Sequence, residues 1–307
     1  MTIHCIKNQS LDKFTTFKIG GKTECIYIPE TKADLAKLAC HMDLSNNFPF
    51  VIGAGSNVLI SNKGIKKPVI SLKKMQSIDL LDNTTIKVEA GSKLPALAFF
   101  CLEKRLSGLE FIAGIPGTLG GAIFMNASVK EKSISDNLIS VEILDLQTNS
   151  IKEYKKDELD FDYRHSSIIP GRQIILSACF ELEQEEYICI KAKIQKYINA
   201  RKNTQPAGFN AGSIFKNPDH IKTPSSGYLI DKIGAKGWKE GGAEISNIHA
   251  NFINNINNAS SLDVSRLMYR MYNAVKEKTG YILHPEVLFV GEPTKEEEKI
   301  WKILLQK

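Results

Sequence analysis

The feature that most narrows the fold of this chain is a glycine bend set between two strands rather than before a helix. Gly53-Ala54-Gly55-Ser56-Asn57 follows the apolar run Phe48–Ile52 and precedes Val58–Ser61, which is too short and too β-branched for a helix. A dinucleotide fingerprint needs a third glycine at position 58 and a helix opening there, so that the helix N-terminus meets the pyrophosphate. Position 58 is Val, which excludes that arrangement. Phosphate binding survives without the helix, because consecutive N–H groups of a glycine bend can point into one concavity, with Ser56 and Asn57 adding donors. These five residues also read as a plain tight turn. A second loop is denser. Phe111–Asn126 reads FIAGIPGTLGGAIFMN, with four glycines and Pro116 inside Gly114–Ala122. Ordinary turns need one or two glycines, so this density between apolar flanks points to backbone lying close against a ligand. Two such loops can clasp one extended dinucleotide, and Gly20-Gly21 is a third pair suited to the same surface.

With 307 residues, of which 43% are hydrophobic, the chain has material for roughly two domains and is not a disordered protein. Its +6 charge comes from 40 Lys+Arg against 34 Asp+Glu dispersed along the sequence. That pattern is a lysine-rich composition before it is a nucleic-acid footprint. No apolar run is long enough to span a bilayer, and the N-terminus lacks a signal-peptide core. A cytoplasmic protein without membrane, nucleic-acid or obligate protein partner is the expectation. The six cysteines form no CxxC pair, and reduced, buried thiols are expected; no metal site is expected either.

The elements read as α+β in two parts. Thr31 caps a helix carrying Leu35, Leu38, Ala39 and Met42 on one face, and a second helix spans about Leu94–Leu106 with Ser92 as its cap. Strands are expected at Glu24–Ile28, Val69–Leu72, Thr85–Ala90, Val141–Leu146, Ile151–Tyr154, Gln173–Leu182, Ala250–Asn254 and Glu286–Val290. A helix at Glu185–Lys202 ends in the polar stretch Arg201–Pro206, the expected boundary between domains 1–200 and 201–307. Leu262–Lys278 places Val264, Leu267, Met268, Met271 and Val275 at helical spacing, as a core stripe. A last helix starts at Thr294, with its EEEK run as a solvated face.

Four loops carry groups suited to chemistry. In Asp162-Tyr163-Arg164-His165-Ser166, Arg164 can hold a carboxylate or stabilise developing negative charge, or simply form a surface ion pair. In Gly212–Pro218 the glycine presents Ser213 on a tight turn, and Lys216 and Asn217 can meet phosphate. Phe215 excludes the hydrolase elbow, so Ser213 is better suited to donating a proton than to nucleophilic attack. His249, before Ala250-Asn251, reads as a hydrogen-bonding structural residue. Pro285 holds His284 extended ahead of Glu286, an acid or a solvated strand-end carboxylate.

Taken in order, TFKIGG (Thr16–Gly21), GAGSNVLI (Gly53–Ile60), LSGLEFIAGIPGTLGGAIFMNA (Leu106–Ala127), DYRHS, GSIFKNP, GGAEISNIHANFI (Gly241–Ile253) and HPEV resemble the UDP-N-acetylenolpyruvoylglucosamine reductase family, from about residue 10 to 291. The resemblance implies an FAD-binding fold of the vanillyl-alcohol-oxidase (PCMH) type with a C-terminal α+β substrate domain, noncovalent FAD, NADPH as reductant and an enolpyruvyl UDP-sugar as substrate. It implies that Arg164 and Glu286 polarise the substrate carboxylate and that Ser213 delivers a proton. Gly53, Ala54, Gly55, Ser56, Asn57, Gly91, Gly114, Ile115, Pro116, Gly117, Gly120, Gly121 and Ala122 would hold the flavin, and Lys216, Asn217 and Asn251 the substrate. Only ten residues separate Lys202 from Ser213, so the chain resembles the shorter type without a lid tyrosine. Another flavin oxidoreductase of the same fold, or a non-catalytic nucleotide-binding protein, are the alternatives.

Overall fold

A computed structural model describes residues 5–42, 48–218 and 224–306. The chain forms two compact units, each with its own core. The first comprises residues up to Lys7, Cys25–Ala54 and Lys67–Arg201; the second comprises Asn8–Glu24, Gly55–Lys66 and Lys202 onward. The expected continuous blocks 1–200 and 201–307 are corrected accordingly. The chain crosses between units at Arg201/Lys202, but two early segments belong with the C-terminal part. The reason is long-range parallel pairing: Val58–Ile60 runs beside Leu288–Val290, and Thr23 bridges to Ile65.

In the first unit, Ile26–Tyr27 (the end of strand Lys22–Tyr27) and strand Phe50–Ile52 both pair in parallel with Val69–Ser71, with Ile26 and Phe50 both opposite Val69 and Ile52 opposite Ser71. A five-stranded antiparallel sheet has the order Ser150–Lys155, Leu138–Asp145, Gln173–Glu181, Thr85–Glu89, Ile78–Leu80. Helix α1 (Lys32–His41) opens with a capping box in which Thr31 Oγ1 accepts from Asp34 N–H and Asp34 accepts from Thr31 N–H, both at 3.1 Å. Helix α2 (Leu94–Glu103) is not capped by Ser92. Lys93 takes the cap position without a side-chain bond, Pro95 pre-sets the first turn, and Ser92 Oγ donates to Ser77 C=O. The helix stops early because Leu106–Ser107 is claimed as a strand by Glu183–Gln184. The glycine-rich stretch holds a short helix, α3 (Leu119–Phe124). The first unit closes with α4 (Tyr187–Thr204), whose final residues pass into the second.

Cys5 and Cys25 form a disulfide, with Cα atoms 6.0 Å apart, while Cys40 and Cys189 are exposed. Both findings correct the expectation of six reduced, buried thiols. The pair sits on strands Cys5–Ser10 and Lys22–Tyr27, which neighbour each other in one sheet; a separation of 20 residues gives no local sign of that. Cys101 fits the expectation, since burial pushes its thiol up to about 12.

The second unit is organised by α6 (Ser261–Thr279), after the short α5 (Ser226–Lys232). Val264, Leu267, Met268, Met271 and Val275 are all buried, as their spacing demands. Helix α7 (Lys295–Leu304) lays Ile300, Trp301 and Leu304 into the same core. The EEEK run is not a uniformly solvated face. Glu297 is fully buried; its carboxylate accepts from Ser261 Oγ at 2.5 Å and from Thr294 N–H at 2.7 Å, while Glu296 stays outside with Arg266. Trp301 Nε1 donates to Ser265 Oγ at 3.0 Å, so the α6–α7 contact has a polar seam inside an apolar interface. Glu297→Ala leaves the Ser261 O–H without its acceptor and removes half of the α7 capping box. It is expected to lower the unfolding free energy by about 2–3 kcal/mol in urea titrations, with a smaller effect from Glu296→Ala.

Candidate active site

Within the first unit the start of the first glycine loop meets the second loop. A Cβ on Gly53 would lie 2.2 Å from Thr118 Oγ1, so the end of strand Phe50–Ile52 approaches the Pro116–Gly121 turn as only glycine permits. Gly55 has φ +61°, and its Cβ position falls 2.2 Å from the Phe14 carbonyl oxygen within the second unit. Gly55 C=O also accepts from Thr16 N–H at 3.1 Å. Among the described residues, the N–H groups of Ala54, Gly55 and Ser56 have no acceptor, nor do those of Gly117, Thr118 and Gly121. Other amides of the second loop are committed: Ile115 to Ile112 C=O, Gly120 to Ala90 C=O and Ala122 to Thr118 C=O. Gly91 also departs from its expected role. Its N–H donates to Met75 C=O at 2.8 Å, and its Cβ position lies 2.0 Å from the Leu72 oxygen, so close backbone packing accounts for the glycine.

Two groups that sequence reasoning missed lie at these loops. Arg201, on α4, runs its aliphatic stem past Gly114, with Cδ 3.1 Å from that residue's Cβ position. Its half-buried guanidinium has no hydrogen-bond or ion-pair partner among the described residues, and desolvation lowers its pKa. Ser71 Oγ is buried without a partner on the strand residue opposite Ile52. Nothing local marked either one; Thr118, inside the glycine loop, was within reach of the sequence. Open amides, a desolvated cation and an orphaned hydroxyl fit a flavin dinucleotide, whose diphosphate is anionic and rich in acceptors.

Arg164 belongs to the first unit and is fixed by its turn. Asp162 and His165 bridge each other, with N–H···O=C contacts of 3.2 and 3.1 Å, and Arg164 takes φ +54° between them. The turn is tied to the end of α3 by Ser166 Oγ, which donates to Phe124 C=O at 2.7 Å, and by Asn126 Nδ2, which donates to Asp162 C=O at 3.0 Å. The guanidinium lies over the Tyr163 ring and donates from Nη1 to Ser128 Oγ at 2.5 Å. Thus the same helix end that closes the second glycine loop aims this cation.

Ser213, Lys216, Asn217, Asn251 and Glu286 gather in the second unit. Gly212 has φ +75° with open space at its Cβ position, so the turn before Ser213 requires glycine for conformation rather than room. The Ser213 hydroxyl has no partner among the described residues. Residues 214–216 pair with 284–286: Glu286 N–H donates to Ile214 C=O and Lys216 N–H to His284 C=O, both at 2.8 Å. Glu286 is 9% exposed, and its C=O accepts from Asn57 Nδ2 at 3.1 Å. Strand Leu288–Val290 therefore begins two residues later than the sequence suggests, because 284–286 is occupied with the serine segment. Asn217 Oδ1 accepts from Ser226 N–H at the start of α5.

Asn251 departs from its expected substrate contact. It is 3% exposed, and its amide is spent on Phe215, accepting from N–H at 3.0 Å and donating to C=O at 2.8 Å. His249 is structural, as expected: Nδ1 accepts from Asn251 N–H at 3.2 Å, and burial lowers its pKa. Phe252 N–H closes back on His249 C=O, which delays the next strand to Ile253–Asn255.

An FAD binding domain model matches residues 23–153. With the loops above, this defines a flavoprotein of the FAD-dependent oxidoreductase class. A model of the UDP-N-acetylenolpyruvoylglucosamine reductase C-terminal domain matches residues 205–290. The UDP-N-acetylenolpyruvoylglucosamine reductase of Caldanaerobacter subterraneus subsp. tengcongensis is 37% identical over 286 residues, covering 93% of both proteins. That of Synechococcus sp. is 39% identical over 290 residues, with the same coverage. The crystal structure of the enzyme (MurB) from Thermus caldophilus superimposes with a TM-score of 0.79 at 32% identity, covering 94% of this chain and 99% of that one. The chain belongs to the UDP-N-acetylenolpyruvoylglucosamine reductase family.

Two outcomes follow from the loops and from His249. Gly55→Ala, strained in φ and against a backbone carbonyl, is expected to lower apoprotein stability by about 2–4 kcal/mol and to abolish flavin retention. Gly121→Ala, whose Cβ would meet only Thr118 Oγ1 at an ordinary 3.7 Å, should leave apoprotein unfolding unchanged while weakening FAD binding, read by fluorescence titration. His249 has a folded-state pKa below its unfolded value, so the unfolded chain binds the proton more readily. Its contribution is complete above about pH 6.5 and is lost as pH falls below it; His249→Gln should flatten that part of the stability–pH curve.

Proposed function

We propose that this protein reduces the enolpyruvyl group of UDP-N-acetylglucosamine enolpyruvate to give UDP-N-acetylmuramate, using NADPH and noncovalent FAD, in the synthesis of peptidoglycan precursors. The observation that carries the reading is the pairing of the Ser213 and Glu286 segments by backbone hydrogen bonds in one unit. A proton donor and an acid on paired segments suit a reaction that must stabilise an anion and protonate a carbon. When bound, the flavin supplies two-electron chemistry, accepting hydride from NADPH and donating it to the distal vinyl carbon of the substrate.

The chain's own groups then handle charge and proton. Addition of hydride at the distal carbon leaves enolate character on the adjacent carbon and its carboxylate. Arg164 offsets that charge as a fixed cation, and Glu286 helps to polarise the same carboxylate. The Ser213 hydroxyl gives its proton to the carbon bearing the carboxylate and regains one from solvent. Lys216, whose ammonium has no partner among the described residues, meets the anionic part of the UDP-sugar. Asn217, anchored through Oδ1 to Ser226 N–H, meets the same substrate. A cytoplasmic location goes with this reading, because NADPH and UDP-sugars are cytoplasmic metabolites. No helix among the described residues is long and apolar enough to cross a membrane.

Wild-type protein should be yellow, bleach with NADPH, and regain its flavin absorbance on adding the enolpyruvyl UDP-sugar; absence of that reoxidation overturns the reading. Ser213→Ala is expected to leave bleaching within about twofold while slowing reoxidation on the order of 10³-fold, within the range for loss of a positioned acid. Equal losses in both half-reactions would mark Ser213 as structural.

A further inference from the structure

We propose that Asn251 is a positioning residue for the proton-delivery step: its amide fixes Phe215, and through it the spacing between Ser213 and Glu286. The proposal rests on the roles just given to Ser213 and Glu286. All six polar backbone groups of Ile214, Phe215 and Lys216 are paired. On one side, Ile214 C=O accepts from Glu286 N–H and Lys216 N–H donates to His284 C=O, each at 2.8 Å. Lys216 C=O accepts from Ser226 Oγ. The remaining three bonds all go to Asn251. Its backbone C=O accepts from Ile214 N–H at 2.9 Å, Oδ1 accepts from Phe215 N–H at 3.0 Å, and Nδ2 donates to Phe215 C=O at 2.8 Å.

A planar amide that both accepts from and donates to one residue acts as a neighbouring strand compressed into a side chain. No strand is assigned over residues 249–251 or 213–217, so nothing else supplies that edge of the ladder. Phe215 is 1% exposed and Asn251 3%, which shields both from bulk solvent. The backbone that carries the amide is itself held, since Asn251 main-chain N–H donates to His249 Nδ1 at 3.2 Å. That bond requires an unprotonated Nδ1, which the burial of His249 favours. Losing the clasp frees one side of the segment whose other side carries Glu286. Misplacement of a reacting group by about 1 Å costs on the order of 10²-fold in rate.

The test separates the half-reactions of the flavin-loaded enzyme. Asn251→Ala should bleach with NADPH within about twofold of wild type, while its reoxidation by the enolpyruvyl UDP-sugar slows on the order of 10²-fold. Asn251→Asp gives a readout that loss of packing would not move. A protonated carboxyl repeats the amide pattern, accepting from Phe215 N–H and donating to Phe215 C=O; an ionised one repels that carbonyl. The reoxidation rate of Asn251→Asp relative to wild type should therefore rise at least about tenfold as pH falls from about 8 to 5, the range in which a buried carboxyl gains its proton. His249, His284, Lys216, Glu286 and, near His249, Lys236 and Asp231 are common to both proteins, so the ratio removes their titration. A flat ratio overturns the proposal, as does equal slowing of both half-reactions in Asn251→Ala. If Asn251→Ala retains no flavin, the Asn251→Asp ratio alone decides. A wild type that fails to reoxidise refutes the functional reading itself; one that turns over beside a flat ratio refutes only the role of Asn251.

Discussion

The second unit depends on the parallel pairing of Val58–Ile60 with Leu288–Val290. Closing a loop of that length costs roughly 5 kcal/mol of chain entropy beyond a constant, from its logarithmic dependence on length. Burial of Val58, Leu59 and Ile60, which are 9%, 0% and 0% exposed, stabilises by roughly 1.5–3 kcal/mol per side chain and is sufficient to offset it. The pairing has a chemical consequence. Asn57, the last residue of the first glycine bend, accepts from Leu288 N–H at 3.0 Å and donates from Nδ2 to Glu286 C=O, across 229 positions of sequence. A residue read as part of a phosphate loop is therefore also a brace for the backbone at Glu286.

What the sequence discloses follows from how local each constraint is. The glycine bends were legible because a positive φ or a close backbone approach is imposed on one residue at a time, as at Gly55 and Gly212. The α6 stripe was legible because a helix repeats its demand every three or four residues. Elements whose limits are decided by distant partners were misplaced. Helix α2 ends early because Glu183–Gln184 takes Leu106–Ser107, and the last strand starts late because Phe215 bridges Pro285. Glu297 illustrates the limit further. One of three consecutive glutamates on a charged helix, it turns inward because the Ser261 hydroxyl and the Thr294 backbone N–H lie where its oxygens can be satisfied. Nothing in the run EEEK separates it from its neighbours. The Cys5–Cys25 bond was hidden for the same reason, since only the sheet order makes the two strands adjacent.

Net charge carried little functional information. Several of the described ion pairs join exposed lysines and arginines to surface carboxylates, and such pairs contribute little to stability. The informative cations are those whose environment is unusual. Arg201 is desolvated without an anion beside it, and Arg164 is held in a left-handed turn against Ser128 and Tyr163. Both belong to the first unit, where the +6 total gave no hint of their standing.

The accounting of backbone polar groups separates scaffold from binding surface more sharply than residue identity does. In residues 214–216 every N–H and C=O is paired, so the segment bearing the proposed proton donor can be rigid and its geometry preorganised. In Ala54–Ser56 and at Gly117, Thr118 and Gly121 the N–H groups have no acceptor among the described residues. Stretches of comparable length thus have opposite economies, one closed on itself and one open to an anionic ligand. This distinction also explains why Asn251 and Gly91 were misread. Each lies within a stretch expected to touch a ligand, yet each has its hydrogen-bonding capacity committed to backbone, to Phe215 in one case and Met75 in the other. A residue whose polar groups are spent holding its neighbours contributes to chemistry through where it holds them.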